Sequence, residues 1–85
     1  MELKDTVQFM VSDDYKQRFI AEYCQTKIRY NKLHKVIVKS HAGTLSFTLD
    51  NTLEALEEQA AAMGKYLFIL EQRAEVEGIE LPEAV

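Results

Sequence analysis

The stretch LEALEEQAAAMGKYLFILEQRA, from Leu53 to Ala74, decides the fold. Within it Leu53, Leu56, Ala60, Met63, Leu67, Leu70 and Ala74 recur at intervals of three, four, three, four, three and four, the spacing of a helix with one apolar seam. A helix is therefore predicted over residues 52–77. Asp50, Asn51 and Thr52 supply side-chain oxygens for its start, and Gly78 supplies a left-handed stop. The run Ala60 to Ala62 with Gly64 leaves room for another backbone at mid-helix. Residues 78–85, with Pro82 among them, read as a short tail.

Working back along the chain, Phe19, Ile20, Tyr23, Cys24, Ile28, Leu33, Val36 and Ile37 form a broad apolar stripe, which predicts a second helix over 13–40. Ser12 and Asp13 are its candidate N-caps, and Asp13 and Asp14 place negative charge at the positive end of the helix dipole. Between the helices, residues 41–51 contain Gly43 as a helix terminator. The alternating Leu45, Phe47 and Leu49 are strand-like, but one such stretch has nothing to pair with, so an extended loop covering the end of the helices is expected. Leu3, Val7 and Met10 stand at helical spacing, and residues 1–12 read as a short amphipathic helix or docking arm. Two helices of similar length with a short connection should fold back on each other. The expected fold class is thus all-α: an antiparallel two-helix hairpin with an N-terminal arm, in one domain of 85 residues. So short a chain buries a small share of its surface, and Tyr66, Phe68 and Ile69 lie off the seam, so assembly into a homo-oligomeric helical bundle is expected.

Composition excludes several classes. One cysteine forbids an internal disulfide, and one thiol beside two histidines is too few soft ligands for structural zinc. No apolar run approaches the roughly 20 residues that span a bilayer, and the N-terminus lacks the layout of a secretion signal, so an intracellular protein without membrane attachment is expected. A net charge of -4 argues against duplex DNA as partner. That average hides a segregation: residues 14–40 hold seven basic and two acidic side chains, whereas residues 50–85 hold two basic and nine acidic. Mutual attraction of a basic and an acidic helix explains this, and so does a basic stripe facing a small anion; the two are compatible.

Groups for catalysis are scarce. Cys24 sits on the apolar stripe with no histidine nearby and reads as a core thiol, and His34 and His41 read as surface residues near a helix C-terminus. No phosphate loop, HExxH or CxxC occurs, so no enzyme, metal or cofactor is expected. A binding strip is better supported. At about 100° per residue, Tyr15, Arg18, Glu22, Gln25, Arg29 and Lys32 lie along one side of the first long helix. An aromatic ring beside guanidinium and ammonium groups suits a nucleotide, with the ring on a base and the cations at phosphate. Tyrosine and arginine also furnish ordinary helical interfaces.

These residues carry a family resemblance. Gln17-Arg18, Glu22, Arg29 and Lys32-Leu33, then Thr44 and Phe47, then Leu56, Gln59, Met63, Tyr66, Ile69-Leu70 and Arg73 resemble the pattern of the phage anti-CBASS cyclic-oligonucleotide sponges, over about Tyr15 to Ala74. The resemblance implies a helical hexamer in the cytoplasm of an infected bacterial host, which inhibits CBASS immunity by sequestering cyclic dinucleotides such as cyclic GMP-AMP, and cyclic trinucleotides in some members, without cleaving them. It implies Tyr15 as the base-stacking ring, Lys32 as the phosphate lysine and Arg73 as the lining of a pocket on a three-fold axis. Two departures bear on ligand choice: a longer N-terminal segment and a more apolar loop. The alternative reading is a helical phage structural or adaptor protein whose coiled-coil seam binds another polypeptide.

Overall fold

The computed structural model describes residues 1–83, and among them every regular element is helical. A 3₁₀ turn over Leu3–Thr6 runs into the short helix α1, Val7–Met10; the long helices are α2, Tyr15–Ala42, and α3, Leu53–Glu77. Ala84 and Val85, the end of the tail expected over 78–85, lie outside the described residues.

Each long helix begins and ends for a local reason. Helix α2 is capped by Asp14 rather than by Ser12 or Asp13: its carboxylate accepts from the Lys16 N–H at 3.0 Å, while the Ser12 hydroxyl accepts from the Asp14 N–H at 3.1 Å. Ser12 thus holds the capping residue, and the helix starts two residues later than its side chains suggested. Its end, expected at residue 40, comes at Ala42, with Gly43 left-handed at φ 74°. There the Thr44 N–H donates to the Lys39 carbonyl at 2.9 Å, the closing bond of a Schellman turn. Helix α3 is capped by Thr52, whose hydroxyl accepts from the Ala55 N–H at 3.2 Å. It ends at Gly78, φ 68°, with the Ile79 N–H donating to the Ala74 carbonyl at 2.9 Å. A side chain at either glycine would meet no neighbour, so the constraint is the backbone conformation itself.

Contacts between the long helices run in opposite senses. Tyr15 meets Glu77, Tyr23 meets Glu71, the Tyr30 ring lies 3.6 Å from the Cβ position of Gly64, and His41 meets Glu57. The core joins Phe19, Tyr23 and Cys24 of α2 to Leu67, Leu70 and Ala74 of α3. Leu70, at its centre, is 0% exposed. The seam is therefore covered inside the chain by α2. It is deepest toward the C-terminal half of α3, because Leu53, Leu56, Ala60 and Met63 are only partly covered. Ile79 completes the core: the Schellman turn folds the chain back so that this side chain, 7% exposed, packs with the seam.

The N-terminal arm packs on α2, but not through its apolar stripe. Leu3, Val7 and Met10 stay exposed, and the buried residue is Thr6, 1% exposed, whose hydroxyl donates to the Leu3 carbonyl at 2.7 Å. Thr6 closes the 3₁₀ turn, and with the half-buried Phe9 three residues later it forms the inner side of the arm. Ala21 and Ile28, buried but outside the core cluster, lie on the flank of α2 turned from Tyr23. In the connection, Leu45 and Leu49 are half-buried while Phe47 projects into solvent.

Two consequences are measurable. Leu70→Ala should lower stability by about 2–5 kcal/mol, read from urea unfolding at fixed protein concentration; a change below about 0.5 kcal/mol would show that Leu70 is not packed. Burial and then the hydrogen bond to Glu71, 2.7 Å, push the Tyr23 hydroxyl up to about 12 from 10.0. A raised folded-state value stabilises the fold below pH 10 and withdraws that contribution as pH rises through 12. Tyr23→Phe should remove the tyrosinate absorbance step near pH 12 and flatten the loss of stability between pH 10 and 12.

Candidate anion-binding surface

The start of α2 and the last turns of α3 come together, and so they place Tyr15 beside Arg73. The Arg73 guanidinium donates through Nη2 to the Tyr15 hydroxyl at 2.8 Å, and its Nε lies 3.5 Å from Glu77 Oε2. The Tyr15 hydroxyl in turn donates to Glu77 Oε1 at 2.9 Å. Beneath them the guanidinium carbon stands 5.0 Å from the Phe19 ring centroid, in cation–π range, and the Tyr15 and Phe19 rings are tilted at 6.2 Å. The hydrogen bond to Tyr15, and after it the Glu77 carboxylate, raise the guanidinium's already high pKa, so it stays charged at any physiological pH. Arg73 is thus a positioned cation whose nearest anion is internal. Tyr15 keeps 46% of its surface open, including ring available for stacking.

The other strip residues are placed differently. Arg18 donates to the Ser12 carbonyl at 2.9 Å and pins the entry into α2. Arg29 and Lys32 are exposed, and among the described residues neither side chain has a hydrogen-bond or ion-pair partner. Glu22 and Gln25, between Arg18 and Arg29 in the sequence, are half-buried. The fold therefore joins Tyr15 to Arg73 and leaves Arg29 and Lys32 as a separate pair about one helical turn apart.

Charge segregation is not consumed by pairing of the two helices. Among the described residues one ion pair links α2 to α3, His41 with Glu57 at 3.6 Å, and it exists only while His41 is protonated. His34 stacks on Tyr30 with centroids 6.2 Å apart, and Lys27 lies 5.9 Å from the same ring. Cys24 is buried, and burial pushes its thiol pKa up, away from nucleophilic character. No three or more His, Cys, Asp or Glu side chains among the described residues converge as metal ligands would. Nor is any described helix long and apolar enough to cross a membrane.

One concavity of the surface is unsuited to an anion. A groove of about 490 Å³ between α3 and the tail has Tyr23, Phe68, Ile79 and Leu81 as its apolar surface and Glu71, Glu75 and Glu80 as its charged groups. This groove is not evident from helical spacing, because it exists only once Gly78 turns the tail back. The signal was present in Gly78-Ile79, an apolar residue directly after a helix-terminating glycine, with Ala74 at the position such a residue contacts.

Comparison with known proteins adds one finding. No match appears among curated proteins or among solved structures. The family model described as Sequestin, however, matches residues 13–76, the whole of α2, the connection and nearly all of α3. With 64 of 85 residues inside that match, the chain belongs to the Sequestin family, whose name denotes sequestration.

Proposed function

We propose that this protein captures cyclic di- and trinucleotide second messengers and holds them uncleaved, inhibiting CBASS immunity in the cytoplasm of an infected bacterium. The reading joins the family's sequestering character to one observation: a net acidic chain carries exposed cations, Arg29 and Lys32, on its basic helix with no hydrogen-bond or ion-pair partner among the described residues. Segregated charge of this kind lets a small anion bind locally against an unfavourable average. Lys32 and Arg29 would meet phosphate oxygens with charge-assisted hydrogen bonds, and Tyr15 would stack on a base. Arg73 is the second cationic point, and an incoming phosphate there replaces or shares the contact with Glu77. The proposed ligand-holding form is a homo-oligomer, with six copies as the family resemblance implies; the exposed Tyr66, Phe68, Ile69 and Val76 are surfaces that assembly would cover. Capture without cleavage needs no nucleophile, in keeping with an inert Cys24.

Incubation with cyclic GMP-AMP and a cyclic trinucleotide should raise the melting temperature, and heating the complex should release unmodified nucleotide. Lys32→Ala and Arg29→Ala should each weaken capture at least fivefold without changing the mass of the assembly. Absence of any shift across such a panel contradicts the sponge reading; loss of assembly in the Lys32 variant assigns that residue to structure instead.

A further inference from the structure

The acidic groove is an amphipathic surface with nothing among the described residues to fill it. Its floor is apolar, through Phe68, Ile79 and Leu81, and its rim is anionic. Glu71 is engaged by the Tyr23 hydroxyl, but the Glu75 and Glu80 side chains have no hydrogen-bond or ion-pair partner among the described residues. The complementary surface exists elsewhere on the same chain. Near the C-terminal end of α2, Lys35 and Lys39 are exposed and likewise unpaired, and between them Val38 is an aliphatic side chain 50% exposed. Lys35 and Lys39 are four residues apart, as are Glu71 and Glu75, so each pair is separated by about 6 Å along its helix. Within one chain these surfaces cannot meet: His41, two residues past Lys39, pairs with Glu57, whereas the groove lies at the opposite end of the helix pair, beyond Glu71.

We propose that the groove is the docking site for the Lys35–Val38–Lys39 face of α2 from a second copy of the chain. The aliphatic side chain and the lysine stems lie on the apolar floor while the ammonium groups reach the rim carboxylates. This deepens the oligomeric part of the sponge reading and rests on it, but it does not depend on which ligand is held. One surface is cationic and the other anionic, so the contact joins unlike patches; repeated from copy to copy it closes a ring, and made reciprocally it gives a two-fold dimer. Because Lys32 lies one turn from Lys35, the same contact would bring a carboxylate-rimmed neighbour to the edge of the cationic pair Arg29 and Lys32, and so place that pair at a boundary between subunits.

Charge reversal tests this directly. Sedimentation velocity on the full chain near physiological salt is the readout, with circular dichroism to verify unchanged helicity; all four positions are exposed, and Glu71 is avoided because Tyr23 needs it. The wild-type chain should assemble. Glu75→Lys with Glu80→Lys should lower the mass, as should Lys35→Glu with Lys39→Glu. Both pairs of reversals together on one chain should restore it. Unchanged mass in either double variant, or no recovery in the quadruple variant, overturns this interface while leaving an oligomeric sponge standing. A wild-type chain that sediments as a single subunit overturns both, in which case the groove serves a cationic segment of some other protein. Failure of the assembled wild-type chain to capture any nucleotide, with charge reversal and its rescue as expected, would sink only the sponge reading.

Discussion

The contact of α2 with α3 around Leu70 is the constraint from which the rest of the molecule follows. Phe19, Tyr23 and Cys24 meet Leu67, Leu70 and Ala74 there, and the small Ala74 and nearby Gly64 let aromatic rings of α2 lie close to the partner backbone. This contact fixes the opposite running of the helices and brings Tyr15 within hydrogen-bond reach of both Arg73 and Glu77. It also sets what remains unburied. A two-helix contact covers one face of each helix, and in a chain this small the remaining faces keep large apolar side chains such as Phe68, Ile69 and Val76 in water.

Electrostatics is organised by the same contact. The basic helix and the acidic helix lie side by side, yet aliphatic and aromatic side chains occupy their shared face, so most charges point outward. Exposed ion pairs would have contributed little in any case, about 0.2–1 kcal/mol each. The lasting effect is two surfaces of opposite sign, a cationic one on α2 and an anionic one on α3 and the tail. Such surfaces are available to a ligand and to another copy, and both uses draw on the same uncompensated charge.

Much of this architecture was legible in the sequence because the signals are local. The heptad-like seam from Leu53 to Ala74 identified the buried face of α3, and Gly43, Thr52 and Gly78 are the terminators and cap that their chemistry implied. Tertiary choices were not legible. Asp14 displaced Ser12 and Asp13 as cap because Ser12 holds the Asp14 backbone, and the arm buries Thr6 instead of Leu3, Val7 and Met10. For the strip, helical spacing put Tyr15, Arg18, Arg29 and Lys32 on one side of α2, but it could not show that Arg18 is held by a carbonyl or that Arg73 arrives from α3 already bound to Tyr15 and Glu77. Those facts depend on the pairing of two helices distant in sequence.

The central claim is that positive charge left unpaired on α2 captures a cyclic phosphodiester. Its most direct test is a calorimetric titration of cyclic GMP-AMP into the full chain at low and at high salt. Saturable binding that weakens markedly as salt screens the exposed cations is the expected result. Binding of equal strength at both salts, or none at low salt, would contradict it.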